Sequence, residues 1–130
     1  DDAGRCGGLA PDARFVIAGD LNADPDDGDS ATGAIAQLLR HPRVLPYPAP
    51  RSEGAAERAR VYGKPRKGDI ATHTGDFGPE TGTLRIDYVL PSRGLRVRDS
   101  GVAWPLAGSD GARWSDASDH HAVWVDIAAD

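Results

Sequence analysis

Arg85-Ile86-Asp87-Tyr88-Val89-Leu90 has the β-branched and aromatic content and the period-two pattern of a β-strand. Asp87 and Val89 share one face, and Ile86, Tyr88 and Leu90 share the other. A carboxylate in such a strand needs a partner, because an unpaired buried charge costs several kcal/mol. Pro91 ends the strand and Gly94 breaks the chain.

Working outward, Leu95 to Trp104 alternates imperfectly and predicts the next antiparallel strand. Ile70 to Phe77 predicts a short strand entering a loop, and His120 to Ile127 a closing strand with Val123, Val125 and Ile127 on one face. Residues 105–118 read as a polar loop. Upstream, Arg14-Phe15-Val16-Ile17-Ala18 predicts a buried strand ended by Gly19, after a loop over 1–13. Asp29 or Ser30 is placed to cap a helix over 31–41, with Ile35, Leu38 and Leu39 on one face and Pro42 as its stop. Prolines at 42, 46, 48 and 50 predict an extended connection, and a weaker helix follows over 53–62. The expected total is four or five strands and one or two helices.

The 130 residues suit one domain or a piece of one. The net charge of −5 argues against passive electrostatic binding of nucleic acid, but not against an enzyme that uses acidic residues to hold a metal. A single cysteine, Cys6, leaves no internal disulfide. No apolar run approaches the roughly 20 residues that span a bilayer. The chain has no Met and opens on Asp1-Asp2-Ala3-Gly4, which reads as a fragment lacking its N-terminal part. The basic residues Arg58, Arg60, Lys64, Arg66 and Lys67 read as a solvated face in preference to a phosphate-attracting rim.

Three stretches place polar residues where strands meet loops: Gly19-Asp20-Leu21-Asn22, Arg85-Ile86-Asp87-Tyr88 and Ser118-Asp119-His120-His121. Singly each is weak, since Asp and Asn also make ordinary turns. Together and in this order they resemble the signatures of the endonuclease/exonuclease/phosphatase superfamily, over nearly the whole chain from Phe15 to Ile127. Phe15 to Pro25 and Leu84 to Ser92 look most similar to secreted actinobacterial members.

The resemblance implies an α/β (α+β) fold, the C-terminal half of a deoxyribonuclease I-like sandwich, mostly antiparallel sheet. It implies hydrolysis of a phosphodiester or phosphomonoester by a metal-oriented water. Asp119 would be the metal ligand, for Mg²⁺ with Mn²⁺ or Ca²⁺ as substitutes. Asp20 would orient or deprotonate the water, and Asn22 would hold a phosphate oxygen. His120 would bond the phosphoryl group or act as acid/base, with Asp87 fixing its tautomer. His121, on the opposite face if the strand begins there, is expected to be non-catalytic. His73 and Asp76 receive no role beyond a structural one. The partners implied are a phosphate-ester substrate, nucleic acid among the candidates, with no membrane span, a monomeric complete enzyme and an extracellular, bacterial location. The superfamily's N-terminal half supplies an Asn and a Glu to the metal site and another His near the phosphate. Residues 1–130 alone are therefore expected to be inactive and prone to aggregate through an uncovered sheet face.

The alternative is a calcium-binding module on the acidic 20–31 loop. Asp20-x-Asn22-x-Asp24 opens like an EF-hand, but Pro25 stands where Gly is required and Ala31 where the bidentate Glu belongs. There is no Gly-x-Ser-x-Gly elbow, zinc motif or Walker-type phosphate loop.

Overall fold

The computed structural model describes residue 4 and residues 7–31 and 33–129. Cys6 and most of the first few residues of the expected 1–13 loop lie outside these. The described elements, in order, are β1 (Val16–Asp20), α1 (Ala36–Leu39), α2 (Glu53–Tyr62), β2 (Gly75–Asp76), α3 (Gly78–Thr81), β3 (Thr83–Leu84), β4 (Asp87–Pro91), β5 (Leu95–Val102) and β6 (Val123–Ala129). Short 3₁₀ turns cover Ile70–Thr72 and Ala112–Ala117. The architecture is α+β, with antiparallel pairs β1–β4, β2–β3 and β5–β6 and few helices. The elements without an expected counterpart are the two-residue strand β3 and the four-residue helix α3.

The face assignment of β4 holds. Ile86, Tyr88 and Leu90 are buried. Tyr88 and Leu90 form a core with Ala23, Ile35 and Val44, against which Phe15, Ile17, Leu21, Leu38 and Leu39 pack. Its partner β1 is not the buried strand expected: Val16, Ala18, Gly19 and Asp20 are exposed. Phe15 and Ile17 face the core, and among the described residues nothing covers the opposite face of the pair. An antiparallel pair with one solvated face is ordinary, but its composition does not reveal which.

The helix expected over 31–41 shrinks to α1. Gly33 sits at φ +79°, a left-handed conformation that interrupts a right-handed helix, so neither Asp29 nor Ser30 caps it. Ile35, Leu38 and Leu39 nonetheless reach the core as expected. The stretch from Ile70 also departs from expectation. The Asp69 carboxylate accepts the Ala71 N–H, and the Thr72 hydroxyl donates to the Asp69 carbonyl at 2.8 Å, which starts a 3₁₀ turn and leaves only Gly75–Asp76 extended. β5 is antiparallel, but its partner is β6, which starts at Val123 instead of His120. The Trp124 indole lies over Gly101, where any Cβ would fall 2.9 Å from the ring.

Helix α2 matches its expected range. The Ser52 hydroxyl accepts the Gly54 and Ala55 N–H groups and donates to the Trp104 carbonyl. Gly63 at φ +63° closes the other end. The small residues Gly54, Ala55, Ala56 and Ala59 are buried, and Ala55 joins Val102 and Trp104 in a second core. This close approach predicts the sign of a substitution. Gly54→Ala would ordinarily gain up to about 1 kcal/mol of helix propensity. Here the new Cβ would overlap the Trp104 and Pro105 carbonyl groups. Net destabilisation of about 1–3 kcal/mol is expected from urea unfolding.

Candidate active site

The antiparallel register sets Asp20 directly opposite Asp87. Directly opposed residues project from the same face, and like charges so placed destabilise a strand pair. An imidazole is beside them: His120 Nδ1 lies 3.2 Å from both Asp87 carboxylate oxygens. That hydrogen bond, first, and the charges of Asp87, Asp119 and Asp20 raise the His120 pKa above its ordinary value, against the opposing effect of burial. The Phe77 ring meets the imidazole edge-on, with centroids 6.0 Å apart.

Asp20 ends β1, and Asn22 lies in the exposed turn that follows. The Asp20 carboxylate accepts the Asn22 N–H at 2.8 Å, and Asn22 adopts the left-handed φ of +50° that Asn tolerates. Two buried side chains fasten this loop to the start of β4. Asp24 accepts the Asp26 and Asp27 N–H groups and, at 2.7 Å, the Arg85 N–H. The Tyr88 hydroxyl lies 2.6 Å from the Ala23 carbonyl and 3.0 Å from the Arg85 carbonyl. Burial pushes the Tyr88 pKa up, which keeps the hydroxyl a donor.

Asp87, on β4, and His120, in the segment before β6, are joined by the short segment 74–76. The Thr74 hydroxyl oxygen accepts both the Ile86 and Asp87 N–H groups at 3.0 Å. The Thr74 carbonyl accepts the His121 N–H at 2.8 Å, Gly75 bridges to His120, and the Asp76 N–H donates to the Asp119 carbonyl at 2.7 Å. His121 turns away from His120, as expected, and stacks on Trp104 with centroids 3.7 Å apart. Burial lowers its pKa.

Of the five expected residues, His120 and Asp87 touch, Asp20 stands opposite Asp87, Asp119 precedes His120 in the chain, and Asn22 lies on the turn after β1. Thr74 and Asp76 were not legible as parts of this junction. Their only signal was short polar side chains inside an otherwise strand-like stretch. Of the basic run, Arg58 is engaged by Asp76 at 3.2 Å and Arg66 by the Thr81 carbonyl.

The model of the Endonuclease/Exonuclease/phosphatase family matches residues 1–120. This chain belongs to that family. No curated protein and no solved structure matches it. Members of the endonuclease/exonuclease/phosphatase family are generally metal-dependent hydrolases of phosphoester bonds. Among the described residues, no group of three or more His, Cys, Asp or Glu side chains gathers to hold a cation. The exposed Asp119 and Asp20 carboxylates are nonetheless hard oxygen donors, the kind magnesium takes one or two of while keeping several waters. The donor set fits such an ion in kind. The 20–31 loop fits a calcium module less well, because Asp24 and Asp27 are committed to backbone N–H groups.

His73 lies apart from this chemistry. It is buried, with Nδ1 2.7 Å from the Thr83 hydroxyl, and burial first, with Arg66 adding, holds its pKa below the ordinary value against the charge of Asp24. The unfolded chain takes up this proton near pH 6.5, about the free imidazole value, while the folded chain resists it. The stability tied to His73 is thus complete above about pH 6.5 and is lost as pH falls towards the folded value. The drop in unfolding temperature between about pH 7 and about pH 5 should accordingly be smaller in His73→Leu than in the parent protein.

Proposed function

We propose that this chain carries a magnesium-dependent phosphoesterase site, in which Asp20, Asn22, Asp87 and His120 act on a phosphate ester and Asp119 is a metal ligand. The observation that carries this reading is the junction of β1 and β4, where two carboxylates stand opposed and His120 sits against one of them. A strand pair built for stability alone would not oppose like charges.

In this reading Asp87 accepts the Nδ1–H of His120, which fixes the tautomer and leaves Nε2 to bond a phosphoryl oxygen or pass a proton to the departing oxygen. The raised pKa of His120 favours the protonated form needed for both tasks. Asp20 takes the proton of the attacking water, and the Asn22 amide donates to a phosphate oxygen. A divalent cation bound at Asp119 supplies neutralisation of the charge on the phosphoryl oxygens.

The substrate class spans phosphodiesters, nucleic acid included, and phosphomonoesters. The net charge of −5 weighs against an extended DNA-binding face. Plasmid nicking compared with release of phosphate from a monoester separates nuclease from phosphatase. The likeness that carries the motifs further supports a secreted, monomeric enzyme whose C-terminal portion is this chain, with an upstream Asn and Glu completing the metal site. Residues 1–130 alone are then expected to show no metal-dependent hydrolysis, and efficient turnover by them overturns that division of the site.

In the complete enzyme His120→Ala should lower turnover about 10²–10⁴-fold, the usual range for a general acid/base. A loss below about tenfold would reduce His120 to a structural role. Asp87→Asn should lower turnover strongly at nearly unchanged unfolding temperature, because it misorients the imidazole and does not empty the core.

A further inference from the structure

Asp76 connects the segment beside His120 to helix α2. Its backbone N–H donates to the Asp119 carbonyl at 2.7 Å. Its Oδ1 accepts the Tyr62 hydroxyl at 2.7 Å and the Gly78 N–H at 3.2 Å, and its Oδ2 lies 3.2 Å from Arg58 Nε. Its chain neighbours both meet His120: Gly75 forms a backbone bridge to it, and the Phe77 ring meets its imidazole edge-on. Tyr62 and Arg58 are both on α2, one turn apart, so they offer Asp76 two anchors on one helix face.

The arrangement is a chain of directed contacts: helix α2, the Asp76 carboxylate, the Asp76 backbone, and the Asp119–His120 backbone. Each link is a hydrogen bond or ion pair with one favourable geometry. β2 itself is too short to hold its place by strand pairing, since only Gly75 and Asp76 pair with β3. An exposed side chain such as Asp119 is aimed by its backbone, and small displacements of a reacting group cost rate far more than they cost stability.

We infer, on the site assignment proposed above, that Asp76 is a positioning residue for Asp119 and His120, and that Tyr62 and Arg58 on α2 act through it. None of the three touches the reacting atoms in this arrangement. Their contribution is to hold residues 75–77 against residues 119–121.

The test uses the complete enzyme with bis(4-nitrophenyl) phosphate or supercoiled plasmid as probe. Asp76→Ala is expected to lower kcat about 10–100-fold with KM within about threefold, the pattern of a misplaced group and not of lost substrate binding. Asp76→Asn keeps an acceptor for Tyr62 and Gly78, and should recover kcat to within about fivefold of the parent enzyme. Tyr62→Phe removes a single hydroxyl from a half-buried residue and keeps the fold, yet should lower kcat about 3–10-fold. Amide hydrogen exchange over residues 118–121, read without substrate or metal, should speed up about tenfold or more in Asp76→Ala and return towards parent rates in Asp76→Asn.

Unchanged kcat and unchanged exchange over 118–121 in both Asp76→Ala and Tyr62→Phe overturn the inference. Should Asp76→Ala not fold, the Tyr62→Phe and Asp76→Asn results decide it alone. Loss of turnover in His120→Ala with none in the Asp76 and Tyr62 variants defeats this inference and leaves the active-site reading standing. Full turnover in His120→Ala defeats the active-site reading, whatever Asp76 does to exchange.

Discussion

The opposition of Asp20 and Asp87 across the β1–β4 pair is the constraint around which the site is built. Two carboxylates on neighbouring strands repel, and the repulsion is relieved only by positive charge or by protonation. His120 bonds one of the two, and that hydrogen bond first, then the charges of Asp87, Asp119 and Asp20, raises its pKa above the ordinary value. A divalent cation supplies more charge in less space. In the proposed function, a cation and an anionic substrate would each offset the charge that the other leaves uncompensated.

Holding such a site needs rigidity in places where regular secondary structure is scarce. β1 and β4 have only five residues each, and β2 and β3 two. The connections are made by short side chains reaching backbone groups. Thr74 gives one oxygen to two successive N–H groups of the Asp87 strand, an arrangement like that of a β-bulge, in which two residues meet one acceptor and the side chain is re-aimed. Asp24 gives its carboxylate to three N–H groups, and Tyr88 its hydroxyl to two carbonyls. Buried polar groups satisfied in this way fix one arrangement in preference to others, since any shift leaves donors unpaired.

Two cores serve this purpose. One, beneath Tyr88 and Leu90, seats the Asp20 loop, and the other, around Ala55, Val102 and Trp104, seats α2 and the β5–β6 pair. His121 stacking on Trp104 carries the order of the second core to the residue beside His120. The small residues of α2 allow the helix to lie close enough for Tyr62 and Arg58 to reach Asp76.

Sequence alone determined the inward face of β4 and the range of α2, because periodicity and caps are local signals. It did not determine that Val16 and Ala18 face outward, that Gly33 cuts the first helix short, or that β5 pairs with β6. Nor did it assign Thr74 and Asp76 to the junction. Those features depend on which distant backbone groups a side chain meets, and bonds such as Thr74 to Asp87 or Asp76 to Asp119 leave no period in the chain. Only packing brings both ends of each bond together, and so only the tertiary structure settled where the polar groups of residues 74–76 would be satisfied.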